Sequence, residues 1–177
     1  MTPWTRKLGL TAHVSSSVGW FGSVVAFLAL AVSGLTSEQP QIVRAAYLAM
    51  EMIGWFVIVP FSFASLLTGL VQALGTPWGL FRHYWVVVKL LVTVFATALL
   101  LIHMQPVGHL ARVVAIRTLE HGELAGLRIQ LIADAGAAMF ALLFAAILSV
   151  YKLAGRTRYG WRKFREELRA TESSGSA

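Results

Sequence analysis

Residues 84–103 read YWVVVKLLVTVFATALLLIH, twenty residues with one cation, Lys89, and one closing histidine, His103. At about 1.5 Å of rise per residue this stretch covers roughly 30 Å as a helix, the thickness of a bilayer's hydrocarbon core. It lacks the strict alternation of a membrane strand, and a closed barrel needs at least about eight strands. In lipid every backbone polar group has to be satisfied within the element, so the stretch reads as a transmembrane helix.

On either side of it, three further runs have the same character: Leu10 to Ser33, Leu48 to Leu74 and Ile129 to Tyr151. The expected fold class is therefore all-α, a four-helix transmembrane bundle running up-down-up-down. Composition agrees. Of 177 residues 57% are apolar and 13% charged, against about 25% charged in a soluble domain. There is no cysteine, which removes disulfides, thiolate metal sites and thiol catalysis. Arg6 and Lys7 ahead of an apolar run, with Ala29-Leu30-Ala31, imitate a signal peptide. The run is too long for one, carries His13 and Trp20, and precedes three more spans, so an uncleaved first helix is expected.

The net charge of +7 does not point to nucleic acid, because the cations gather at span ends. One side holds ten (Arg6, Lys7, Arg82, Lys152, Arg156, Arg158, Arg162, Lys163, Arg165 and Arg169), and the other holds four (Arg44, Arg112, Arg117 and Arg128). The positive-inside rule places both termini in the cytoplasm. Gly75-Thr76-Pro77-Trp78-Gly79 reads as the turn between the second and third spans. Pro40 suits a helix start, and Pro60 should kink the second span. Pro106 to Leu119 reads as a short amphipathic surface helix, with Val107, Leu110 and Val114 on one face. Residues 1–155 form the membrane domain; residues 156–177 form a basic tail, suited to an anionic lipid surface and ending in small polar residues where disorder is expected.

Helical spacing gives each span one polar or small face. These faces are His13, Ser16, Ser17 and Trp20; then Glu51, Ser62, Ser65 and Gly69; then Lys89, Thr93, Ala96 and His103; then Asp134, Ala138, Ala141 and Ala145. Lipid favours the remaining Leu, Val, Phe and Ile faces, so the four stripes are expected to meet in the middle. Lys89 and Asp134 are the intramembrane charges, each costing at least about 2.5 kcal/mol near the bilayer centre. Lys89 sits toward the inner side and Asp134 toward the outer side, too far apart to pair directly.

The histidines suggest two sites. His13 and His83, on diagonal helices near the inner end, can act as two axial ligands of a b-type haem. Gly19 and Gly22 would give a porphyrin room beside His13, and Arg6, Arg82 and Arg158 would meet its propionates. Against this, His83 lies about 120° around the helix from Lys89, so both face inward only if the helix begins irregularly. Toward the outer side, Glu51, His103 and His109 form a carboxylate–imidazole set for zinc or another divalent metal, without any close HExxH-type pair. His121 reads as a solvated loop residue. No GxSxG, P-loop or GxGxxG motif is present, and Ser15-Ser16-Ser17 has no neighbouring base.

Thr11-Ala12-His13-Val14 with Gly19-Trp20, the stretch from Gly75 to Trp85, His103-Met104-Gln105-Pro106 and Arg158-Tyr159-Gly160-Trp161-Arg162-Lys163 together resemble a widespread family of small bacterial membrane proteins without an assigned activity. The resemblance implies four spans and a bacterial inner membrane. His13, Trp20 and Gly22 also resemble the first span of the copper-resistance D and cytochrome-b-like groups, which adds Trp20 and Gly22 to the haem candidates. Three functions stand as expectations. The first is haem binding with electron transfer, which brings a quinone or other redox partner. The second is an ion, proton or metal carrier using Glu51, Lys89, His103 and Asp134. The third is a packing scaffold, which brings a homodimer. In all three the lipid bilayer is the surrounding partner.

Overall fold

The computed structural model describes residues 3–75, 84–117, 123–151, 161–162 and 165. Helix α1 runs Pro3–Thr36. It stops where Ser37 donates back to Ser33, Gln39 N–H turns onto Ser37 Oγ and Pro40 opens the next helix from an extended Gln39. The second span has three parts: α2 over Pro40–Ile53, a π turn over Gly54–Ile58 and α3 over Val59–Gly75. Helices α4 (Tyr84–Ile116) and α5 (Ala125–Tyr151) complete, among the described residues, four helical stretches long and apolar enough to cross a membrane.

Each span packs on its chain neighbours and the fourth returns to the first. This is the four-helix bundle expected, with α1 diagonal to α4 and the second span diagonal to α5. The end holding Pro3, Gly75, Tyr84 and Tyr151 is the inner end by the charge count. The turn from Gly75 to Gly79, Arg82, His83, His121 and most of the basic tail lie outside the described residues.

The kink expected at Pro60 takes the form of the π turn just before it. Pro60 has no N–H and its ring crowds the carbonyl one turn back. The chain widens there, and Val59 N–H bonds to Gly54 O. One extra residue in a turn rotates every later face by roughly 100°. As a result Glu51, ahead of the turn, packs beside Gly108 of α4, whereas Ser65, beyond it, bonds to α1. The stripe from Glu51 to Gly69 is thus split between two neighbours.

The second helix starts at Pro40, ahead of the apolar run from Leu48, and Pro106 to Ile116 continues α4 rather than forming the separate surface helix expected. Pro106 lies inside α4 and removes only one ladder bond. Val107, Leu110 and Val114 are buried together with Val43, Ala46, Tyr47 and Met50 of α2. Hydropathy registers the stretch that suits lipid; the helices run on because their apolar faces cover each other. At 33 residues, α4 is about 50 Å long and extends well past a single bilayer core.

Candidate functional site

Three polar clusters hold the bundle. The inner one joins α1, α3, α4 and α5. His13 Nδ1 lies 3.1 Å from the Ser65 carbonyl and 3.1 Å from Thr68 Oγ1. A carbonyl only accepts, so Nδ1 carries the hydrogen. Nε2 then presents a lone pair, and Lys89 Nζ donates to it at 3.3 Å and to Ser149 Oγ at 2.5 Å. Ser17 and Ser65 share a 2.8 Å hydrogen bond below. Gly69 makes the approach feasible, because a Cβ there would stand 3.0 Å from His13 Cε1. The His13–Lys89 contact spans the bundle diagonal.

The second cluster lies between adjacent helices toward the outer side. His103 Nδ1 lies 2.8 Å from the Leu99 carbonyl, so it too is an N–H donor. His103 Nε2 is 2.9 Å from Asp134 Oδ2. Asp134 Oδ2 is itself inaccessible and makes no aligned hydrogen bond, although the side chain as a whole is partly exposed.

The third cluster closes the outer end across the other diagonal. Arg128 is buried; it donates to Tyr47 Oη at 2.9 Å, to Gly34 O at 2.5 Å and to Leu35 O at 3.3 Å. Its guanidinium carbon also stands 5.8 Å from the centre of the Tyr47 ring. A cation on the last carbonyls of α1 complements the negative end of that helix. Arg44 donates to Ala115 O nearby, and Arg117 forms a paired contact with Glu123.

A cavity of about 500 Å³ opens between α4 and α5, floored by Trp20, Val24 and Phe27 of α1. Its walls are apolar apart from His103 and Asp134. From Val92 to Val107 it follows α4 for about 22 Å, as a long slot with His103 and Asp134 toward its outer end.

Lys89 and Asp134 are unpaired with each other, as expected; each takes a histidine, Lys89 with His13 and Asp134 with His103. The metal set is not brought together. His109 is exposed, Glu51 faces Gly108, and His103 turns to Asp134. Among the described residues no three His, Asp or Glu side chains gather around one position.

Of the residues expected around a haem, only those of α1 are described. Both nitrogens of His13 are engaged, the space at Gly19 is filled by Phe61, and Gly22 faces outward with nothing near it. Trp20 lines the slot instead. His83 and Arg82 lie outside the described residues.

Sequence reasoning missed Ser149, Thr68 and the Arg128–Tyr47 contact. Ser149 was legible: it continues the Ala141 and Ala145 stripe by one turn. Arg128 counted only as a topology charge, although it shares a face with the buried Leu131 and Ala135.

No protein-family model, curated protein or solved structure matches this chain. Its function therefore has to be reasoned from residues and geometry.

Proposed function

We propose that this multi-pass membrane protein is a proton-linked carrier component, with the His103–Asp134 pair as its proton-exchanging site. One observation carries the reading. An imidazole whose Nδ1 is committed to a carbonyl stands 2.9 Å from the partly buried Asp134 carboxyl group, so two groups able to exchange a proton face each other within the bundle. Ionisable groups at membrane depth are costly and mark ion or proton pathways more often than packing devices. The His13–Lys89 cluster supplies a second ionisable site toward the inner end, so the bundle has one such site on each side of its middle.

The test is proton equilibration across liposomes carrying the purified protein and an internal pH dye. Protein-dependent equilibration should fall to the level of empty vesicles in Asp134→Asn and fall strongly in His103→Gln. Rates equal to the unaltered protein in both variants would overturn the reading.

A further inference from the structure

We propose that the His13–Lys89 contact is an acid-opened clasp: a proton taken up at His13 breaks it and releases the inner parts of α1 and α4 from each other. The proposal does not depend on proton exchange at His103–Asp134; it concerns the other ionisable site of the bundle.

The geometry leaves the ring one role for each nitrogen. His13 Nδ1 is committed to the Ser65 carbonyl at 3.1 Å, and a carbonyl only accepts. Nε2 therefore meets Lys89 Nζ, 3.3 Å away, with a lone pair. The contact holds as long as either nitrogen can still accept. Once both groups are protonated, each presents only N–H. Two positive charges then face each other in a part-buried place, where screening is weak.

The surroundings supply no counter-charge for the second proton. Helix α3 brings Ser65, Thr68 and Gly69 to the ring, α4 brings Lys89, and α5 brings Ser149 through Lys89. On α1 itself the nearest charges are the exposed cations Arg6 and Lys7, about two turns toward the inner end. Helices α1, α3 and α4 contain no Asp or Glu, and the single one in α5 is Asp134, about four turns from Ser149 and beside His103.

The open state binds one proton more than the closed state, so falling pH favours opening and rising pH restores the clasp. Histidine is the side chain that ordinarily changes charge near neutral pH. The contact is also placed to move helices. His13 is seated on α3 and Lys89 on α5, so together they tie two helices that stand diagonally and have little other packing between them.

The experiment is a distance measurement between paired spin labels on the purified full chain, by pulsed electron paramagnetic resonance. The chain has no cysteine, so labels attach only where cysteines are introduced. Leu10→Cys with Leu91→Cys reports the level of the clasp from exposed positions, and Val32→Cys with Ile116→Cys reports the outer ends. Lowering the pH from about 8 to about 5 should lengthen the inner distance by about 2–5 Å, reversibly, and leave the outer one unchanged. His13→Gln, whose amide oxygen still accepts from Lys89 without titrating, should hold the inner distance at its high-pH value. Lys89→Met should also abolish the acid response, because a charged ring then faces no cation. An inner distance that ignores pH would overturn the proposal. So would an acid response that survives either variant, or one that lengthens the outer distance equally. This measurement involves no proton flux, so it and the liposome assay fail separately.

Discussion

The outer and inner halves of this bundle are held by different means. The outer half buries large apolar side chains, Tyr47, Met50, Leu110 and Leu131 among them, around the Arg128 guanidinium. The inner half also buries small polar ones, Ser16, Ser62 and Ser65, beside Val86 and Leu148, with Ser17, Thr68 and Ser149 at their edges. Measured against its apolar stretch 84–103, the surplus length of α4 lies at the outer end, where α2 packs on it. Water there makes apolar burial favourable. In lipid, where the surroundings are as apolar as leucine, helices associate through close approach and hydrogen bonds between small residues. The division of side chains reports where the solvent changes.

Substitutions put that contrast to the test. The largest effect is expected for Arg128→Ala, which leaves Tyr47 and the last carbonyls of α1 without their donor. About 3 kcal/mol of stability should be lost, read as a lower midpoint of thermal unfolding in detergent. Gly34→Ala comes next, because its Cβ would stand 2.7 Å from Cζ of the buried Tyr47 ring. A loss of about 1–3 kcal/mol is expected, and Tyr47→Leu in the same chain should restore part of it.

The inner half should respond less. Removing the His13–Lys89 contact in a double-mutant cycle with His13→Ala and Lys89→Met should reveal a coupling of about 1 kcal/mol. The smallest effect is expected for Ser17→Ala, about 0.6 kcal/mol for one hydrogen bond between membrane helices. If the inner substitutions destabilise as much as Arg128→Ala, the division by solvent is wrong. One spectroscopic comparison belongs with these: with haem supplied during expression, His13→Ala should leave the visible absorbance of the protein unchanged, because that ring is already held by Ser65, Thr68 and Lys89.

Much of the fold was legible because membrane helices announce themselves by length and apolarity, as residues 84–103 do. The inward stripes were legible too: Ser16, Ser62, Ser65 and Ala145 are buried, and His13, Lys89, His103 and Asp134 all face partners within the bundle. The pairings were not. Glu51 and His103, two members of the expected metal set, lie on inward stripes at similar depth, yet Glu51 packs beside Gly108 and His103 takes Asp134. The π turn ahead of Pro60 rotates all later residues of the span by about one residue's worth of helix, so the face carrying Glu51 is not the face carrying Ser65. The outer amphipathic helix was misread for a related reason. Its periodicity signalled one apolar face and could not say whether lipid or another helix covers it.

Sequence alone establishes that residues 84–103 and three companions cross a membrane as helices, which side holds more cations, and which face of each helix is polar. These properties are local, set by composition and by the 100° step of one helix. Packing between helices was needed to decide that Lys89 reaches His13, 76 residues away, that His103 takes Asp134, and that an apolar slot ends on that pair. A stripe fixes the direction in which a side chain points from its own axis. Where two axes stand in height and rotation is set by packing along their whole length, by the π turn at Gly54–Ile58 and by the contact of α2 with α4 toward the outer end.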